Sequence, residues 1–138
     1  MDLLQLSGEV DTPGSFTMAE LAALPDQVPD IGALVPGRVG GGVRLSSVLA
    51  AVGARGAYLT LCSSDGFTIS VPRAEVEGGV VTYRLGDGEL PPKQGGPVRF
   101  YLARPVACDT GVVDACANVK ALREIRVTAT KEPDNHRH

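Results

Sequence analysis

The sequence predicts an α+β domain rich in strands, with mixed or antiparallel sheets and about three short helices. Apolar and polar residues alternate in several short segments, which is the period of a half-buried strand. The chain also has 17 Gly and 10 Pro, which favour many turns and short elements. Because 138 residues fit a single domain, we assign residues 1–130 to it and expect the polar tail 131–138 to be disordered.

The first fifty residues begin with a strand and a helix. Residues 4–10 alternate between apolar and polar side chains, which predicts the strand. Thr17 and Glu20 have the spacing of a capping box, in which the hydroxyl and the carboxylate each accept a main-chain N–H. A helix is therefore predicted over residues 18–24, ending before Pro25. Further patterns favour two irregular strands around glycine-rich turns in residues 27–45, and a capped short helix closed by a glycine in residues 46–53.

The second half of the chain opens with a strand, a polar turn and another strand over residues 60–72. The turn contains Asp65 and Gly66, and Asp-Gly is a dipeptide preferred in tight hairpins. This preference gives the turn a structural role from backbone chemistry alone. The following pattern predicts a helical turn at residues 72–77 and strands at residues 80–85, 98–102 and 124–130.

Composition excludes several classes of partner. Thirteen Lys and Arg against 16 Asp and Glu give a net charge of -3, so no overall charge attracts nucleic acid or an anionic membrane. No apolar run approaches the roughly 18 residues of a membrane span. The opening Met1–Gly8 has an acid where a signal peptide has positive charge. We therefore expect a soluble, cytoplasmic protein, or an exported one if a signal has been removed, and three cysteines fit a reducing compartment.

Cysteine and histidine offer few catalytic arrangements. His136 and His138 lie in the polar tail, where no rigid scaffold holds an imidazole against a partner. For Cys108 and Cys116 the favoured interpretation is two free or loosely paired thiols. The alternatives are a disulfide, which would contribute roughly 2.5 kcal/mol to stability, and a metal-binding or reactive thiol. Zinc is disfavoured because no Cys-x-x-Cys spacing occurs. Cys62, on a predicted strand, is interpreted as a small buried hydrophobe.

Acidic residues in turns have a structural and a chemical interpretation. Aspartate is an expected turn residue because its side chain bonds to the nearby backbone. Paired carboxylates could also serve glycoside or phosphoester chemistry, so both interpretations stay open, with the turn role favoured. The residues concerned are Asp65, Asp87, Asp109 and Asp114.

Cationic residues gather in the last third of the chain. They could clamp a phosphate group near the ends of strands, or they could line a solvated face. A phosphate loop at Gly40–Gly42 is disfavoured, because the segment lacks the Gly-x-x-x-x-Gly-Lys spacing and no Lys follows it. The cations are Arg99, Arg104, Lys120 and Arg123.

The order of short motifs resembles the molybdopterin-binding domain of oxidoreductases with the sulfite-oxidase fold. The resemblance extends from about residue 3 to residue 130 and implies the sulfite-oxidase-like fold. It rests on six segments in one order: Leu6–Val10 followed by Pro13–Leu24, Val43–Leu49, Ser63–Phe67, Leu90–Pro91 with Gly95–Arg99, Asn118–Lys120, and Ile125–Val127.

The resemblance also implies a set of site residues. Ser63, Ser64, Asp65 and Gly66 would lie beside the pterin, and Arg99 and Lys120 would contact its phosphate. In the family, the pterin dithiolene and a protein cysteine thiolate hold molybdenum. The region where that cysteine would stand, Leu24 to Leu45, contains none.

The resemblance therefore implies a module that binds molybdopterin or another small anionic ligand, or that serves a partner subunit. The absence of the cysteine argues against bound molybdenum. One alternative is an oxidoreductase whose metal ligand has moved to Cys108 or Cys116. Another is a structural or interaction domain without a ligand. Whether the protein is an enzyme stays open on the sequence.

Overall fold

A computed structural model describes residues 2–102 and 120–130, and these residues form two five-stranded sheets. The predicted strand-rich fold with three short α-helices is observed in this part of the chain, together with two 3-10 helices. The strands are β1 (Asp2–Gly8), β2 (Gly14–Thr17), β3 (Gln27–Val28), β4 (Gly41–Arg44), β5 (Tyr58–Ser63), β6 (Thr68–Pro72), β7 (Val80–Leu85), β8 (Gly88–Glu89), β9 (Arg99–Tyr101) and β10 (Leu122–Thr128). The helices are α1 (Met18–Ala22), α2 (Leu45–Val52) and α3 (Arg73–Val76), and the 3-10 helices span Ile31–Ala33 and Pro92–Gln94.

The first sheet has the strand order β2-β1-β10-β5-β6. Strands β1 and β10 pair in parallel, and the other neighbours are antiparallel, so the sheet is mixed. Ile125 lies opposite Leu6 on one side and Leu61 on the other, and all three are buried. Leu122 at the start of β10 lies opposite Ser63, which places the turn between β5 and β6 beside the start of β10.

The second sheet has the order β3-β4-β7-β8, and β9 also pairs with β7. Its two faces pack against different clusters. Val81 lies opposite Phe100, and both belong to the main core. Val80 lies opposite Tyr101, and both pack in a smaller cluster on the other face. Because side chains alternate along a strand, Thr82, which lies opposite Arg99, shares the face of the smaller cluster.

The main core contains side chains from both sheets and from helix α2. Its buried apolar side chains remove a large hydrophobic area from water, which is the dominant favourable term in folding. The first sheet contributes Leu6, Leu61 and Ile125, the second contributes Val43, Val81 and Phe100, and α2 contributes Leu45, Val48, Leu49 and Val52. The longest helix in the described ranges has eight residues, and none there could cross a membrane.

Helix α1 begins with the predicted capping box. The Thr17 hydroxyl accepts from the Glu20 amide at 3.2 Å, and the Glu20 carboxylate accepts from the Thr17 amide at 2.9 Å. The helix ends at Ala22, two residues earlier than predicted, because the amide of Leu24 already bonds at three-residue spacing to Leu21. The capping prediction is confirmed, and the predicted end was too late.

Changing Thr17 to alanine should lower the free energy of unfolding by about 1 kcal/mol, because one amide of the first helical turn loses its acceptor. Urea denaturation measures the change. Thr12→Ala is the control, since Thr12 lies in an exposed bend before β2. Equal stability of the two variants would contradict the role of the cap.

Helix α2 differs from the prediction at its start. It begins at Leu45 after Arg44, whose side chain makes no capping hydrogen bond. The first amides instead donate to a distant turn, from Leu45 to the Gly79 carbonyl at 2.9 Å and from Ser46 to the Glu77 carbonyl at 2.8 Å. Tertiary contacts therefore replace the expected side-chain cap. The glycine at the end is as predicted, because Gly53 has a left-handed conformation with φ of 66°.

Candidate functional site

The turn between β5 and β6 is held by its own polar side chains. The Asp65 carboxylate accepts from the Ser63 hydroxyl and from the Phe67 amide, the latter at 3.2 Å. The Ser63 oxygen also accepts from the Phe67 amide at 3.1 Å. Gly66 has φ of +96°, a conformation that favours glycine. The predicted turn role of Asp65 and Gly66 is confirmed, and Ser64, Asp65 and Gly66 present an exposed surface.

Main-chain hydrogen bonds connect this turn to two distant segments. The Ser64 amide donates to the Ala121 carbonyl at 2.9 Å, and the Ala121 amide donates to the Gly95 carbonyl at 2.7 Å. Ala121 has φ of 49°, which is uncommon for a residue other than glycine. The exposed Lys120 therefore lies next to the turn, and both lie next to the segment that leads into β9.

Arg99 is buried at the start of β9, with only 7% of its surface exposed. Its guanidinium carbon lies 4.7 Å from the centre of the Tyr101 ring, which is a cation–π contact. A Cβ at Gly95 would lie 2.6 Å from Arg99 Cδ, so the glycine leaves room for the arginine stem. The solvated-face interpretation is therefore wrong for Arg99.

Two buried polar atoms on this face have no hydrogen-bond partner among the described residues. They are Nε of Arg99 and Oγ1 of Thr82. Their residues lie directly opposite each other on β9 and β7, with both side chains on one face of the sheet. A buried donor without a partner costs free energy, and such atoms in native proteins often mark a ligand, water or ion site.

The electrostatic surroundings of Arg99 oppose its positive charge. Burial lowers the pKa of Arg99, Tyr101 acts in the opposite direction, and the positive charge of Arg38 lowers it further. Arg38 also approaches Tyr101, with its guanidinium carbon 5.7 Å from the ring centre. Among the described residues, neither arginine forms an ion pair with a carboxylate. The described residues of the site therefore carry an excess of positive charge.

The other cations and thiols predicted as candidates do not join this site in the described part of the chain. Arg123 and Cys62 lie elsewhere in the first sheet. Arg123 is exposed on β10 and borders a depression with Leu3, Gln5 and Ser15, so it does not join Arg99 and Lys120. Cys62 is buried on β5, where its thiol donates to the Thr60 carbonyl at 3.8 Å, as the sequence predicted. Several residues named in the sequence analysis lie outside the described ranges: Arg104, Cys108, Asp109, Asp114, Cys116, His136 and His138.

A separate surface depression of about 450 Å³ lies near the start of α2. Two charged side chains that line it, Arg44 and Asp26, are engaged in structural contacts. The Arg44 guanidinium donates to the Gly78 carbonyl at 2.6 Å, and the Asp26 carboxylate accepts from the Ser47 hydroxyl at 3.1 Å. No group of three or more potential metal ligands occurs in the described part of the chain. We therefore place the candidate site at the turn, Lys120 and Arg99.

Comparison with known proteins identifies the family. The model of the family described as oxidoreductase molybdopterin binding domain matches residues 40–136. The chain belongs to this family. The match includes Ser63–Gly66, Arg99 and Lys120, whereas Arg38 and the first three strands lie before it.

The family fold is also found in a solved structure. The sulfane dehydrogenase SoxCD from Paracoccus pantotrophus superposes with a TM-score of 0.64 at 20% sequence identity. The alignment covers 93% of this chain and 38% of that chain, so this chain corresponds to a part of the longer protein. No curated protein sequence matches the chain significantly. The predicted sulfite-oxidase-like fold is confirmed.

Sequence reasoning missed three residues of the site, namely Arg38, Thr82 and Tyr101. One signal was available for Thr82, because alternation along residues 80–85 places it on the face opposite Val81. Nothing local indicated Arg38, since its contact with Tyr101 joins segments 63 positions apart in the chain.

Proposed function

We propose that this domain binds molybdopterin, or a closely related anionic pterin, at the site formed by Ser63–Gly66, Arg99 and Lys120. The observation that carries the proposal is the burial of Arg99 beside the unpartnered Thr82 hydroxyl, without an acid partner among the described residues. An anionic group offsets such a buried charge and supplies acceptors for its N–H groups.

The residues fit a ligand with a phosphate at one end and a flat polar ring system at the other. Arg99 and the exposed Lys120 are the cations that would hold the phosphate. The turn at Ser64, Asp65 and Gly66 offers exposed polar groups for the pterin, and its internal hydrogen bonds fix its shape before binding. Bound molybdopterin would supply a pair of dithiolene sulfurs able to hold molybdenum.

The cysteine content favours a binding or accessory module over a molybdenum oxidoreductase. The segment Leu24 to Leu45 has no cysteine, and the Cys62 thiol is buried in the first sheet. A soft metal held by the cofactor would therefore lack a protein thiolate from these positions. Membership of the oxidoreductase family supports the second candidate, an enzyme whose thiolate comes from Cys108 or Cys116.

The test measures pterin and metal in the full chain produced in a molybdenum-replete host. Oxidised pterin fluorescence is expected at close to one equivalent, with molybdenum well below that amount. Lys120→Gln should lower pterin retention about fivefold, because a charge-assisted contact worth about 1 kcal/mol is lost. Arg55→Gln is the control, since Arg55 is an exposed cation paired with Asp11 at 3.1 Å, away from the site.

The other outcomes each decide between the functions. Stoichiometric molybdenum that disappears in Cys108→Ser or Cys116→Ser would establish the relocated-ligand oxidoreductase. Protein that retains neither pterin nor metal would reject both candidates in favour of a structural or interaction domain. Equal pterin loss in Lys120→Gln and Arg55→Gln would show that the retained pterin is not held at this site.

A further inference from the structure

We propose that Arg38 and Thr82 complete, with Arg99, a binding site for a doubly charged tetrahedral oxyanion of the phosphate class. This inference rests on the proposed function in one respect, because the phosphate of the pterin is one source of such a group. Free inorganic phosphate is the other source. The proposed function assigns contacts with the cofactor to Ser63–Gly66, Arg99 and Lys120, and it assigns none to Arg38 or Thr82.

Two cations lie close together at this site without an acid among the described residues. The guanidinium carbons of Arg38 and Arg99 lie 5.7 Å and 4.7 Å from the centre of the same Tyr101 ring. They are therefore no farther apart than roughly 10 Å, which is about one Debye length at 0.1 M salt. Among the described residues, no carboxylate pairs with either. Their mutual repulsion is relieved most by a ligand with two negative charges.

A pair of buried polar atoms beside these cations has no hydrogen-bond partner among the described residues. The Arg99 Nε–H is a donor, and the Thr82 hydroxyl is a donor as well as an acceptor. Thr82 is fully buried and Arg99 is 7% exposed, so bulk solvent does not satisfy these atoms. A site that combines buried donors with two guanidinium groups matches a tetrahedral oxyanion, which offers several acceptor oxygens.

The two cations differ in how firmly their surroundings hold them. Tyr101 is 2% exposed and packs in the smaller cluster, so it provides a fixed apolar wall for Arg99. Arg38 is exposed on the segment between the Ile31–Ala33 helix and β4. Arg99 is thus held in place before binding, whereas Arg38 can adjust to the ligand at the surface.

The test titrates inorganic phosphate into the full chain, produced in a host unable to make the pterin, by calorimetry at low ionic strength. Wild type should bind one phosphate saturably. Arg38→Gln should lower the affinity about tenfold, as expected for the loss of a charge-assisted hydrogen bond, and Arg38→Lys should lower it less. Thr82→Val, which keeps the shape of the side chain, should also weaken binding. Arg55→Gln, an exposed arginine elsewhere, should bind as wild type does.

A second titration uses protein that has retained pterin. Loss of phosphate binding in that sample would assign the site to the phosphate of the cofactor, and persistence would assign it to a free oxyanion; both results support the inference. Absence of saturable phosphate binding in wild type, or equal affinity in wild type and Arg38→Gln, would overturn it. Pterin retained together with either of these results would leave the proposed function standing while the oxyanion site fails.

Discussion

Replacing Arg99 with methionine is expected to make the ligand-free protein more stable by about 1 kcal/mol and to lower its affinity for an anionic ligand at least a hundredfold. The two effects have one cause. Arg99 is a buried charge whose Nε has no partner among the described residues, and methionine fills a similar volume without a charge. The gain is limited because the contact with Tyr101 is also lost.

The pH dependence of this stability difference follows from the lowered pKa of Arg99. The pKa of Arg99 in the folded state lies below its pKa in the unfolded chain. Between these two pKa values the unfolded state binds more protons than the folded state. The stability therefore rises with pH only in that alkaline window. Below the folded-state pKa the cost of the buried charge is constant. The difference between Arg99→Met and wild type should therefore not change between about pH 6 and pH 8.

Urea denaturation of the ligand-free protein and phosphate calorimetry measure the two effects of Arg99→Met. Arg99→Lys is the matched control, because it keeps the charge but loses the planar fork of donors. It should remain no more stable than wild type and should bind weakly. If Arg99→Met were less stable than wild type by more than about 1 kcal/mol, Arg99 would be mainly a packing residue, and the ligand-binding interpretation would lose its principal support.

Gly42→Ala is expected to lower the free energy of unfolding by about 3 kcal/mol. Gly42 lies on β4 opposite Thr82 on β7. A Cβ at Gly42 would lie 2.2 Å from the Val81 carbonyl oxygen and 2.8 Å from the Thr82 Cα. Both are main-chain atoms, so the strands must separate to accept the methyl group. That movement would also displace Thr82, and phosphate affinity should fall with stability.

The control for Gly42→Ala is Gly14→Ala. Gly14 also lies in a strand, but a Cβ added there would meet no atom within 4 Å beyond its chain neighbours. Removing a glycine there should change stability by no more than about 0.5 kcal/mol, and urea midpoints of the two variants give the comparison. Similar midpoints would mean that β4 and β7 tolerate an added methyl group.

Local patterns in the sequence predicted most of the secondary structure. The strand-forming residues at 80–85 predicted β7 with its observed bounds, and Thr17 with Glu20 predicted the start of α1. The predicted boundaries were less accurate for β10, which begins at Leu122 and not at Glu124. The 3-10 helix at Ile31–Ala33 was not predicted, because short turns of this kind carry a weak apolar period.

The candidate site was only partly accessible from the sequence. The motif order indicated Ser63–Gly66, Arg99 and Lys120, and the structure joins their segments through main-chain bonds at Ala121 and Gly95. Their role in binding a cofactor stays a prediction. The burial of Arg99 was not foreseen, because the smaller cluster that buries it is assembled from residues far apart in the chain.

The sequence by itself determined the strand-rich architecture, the hairpin at Asp65-Gly66 and membership of the molybdopterin-binding family, because periodicity, turn chemistry and motif order are properties of neighbouring residues. Only the tertiary structure decided that Thr82 lies opposite Arg99 and that Arg38 approaches the same Tyr101 ring. Those contacts depend on strand register and sheet order. Register and order are settled by the packing of the whole core, which no short segment encodes.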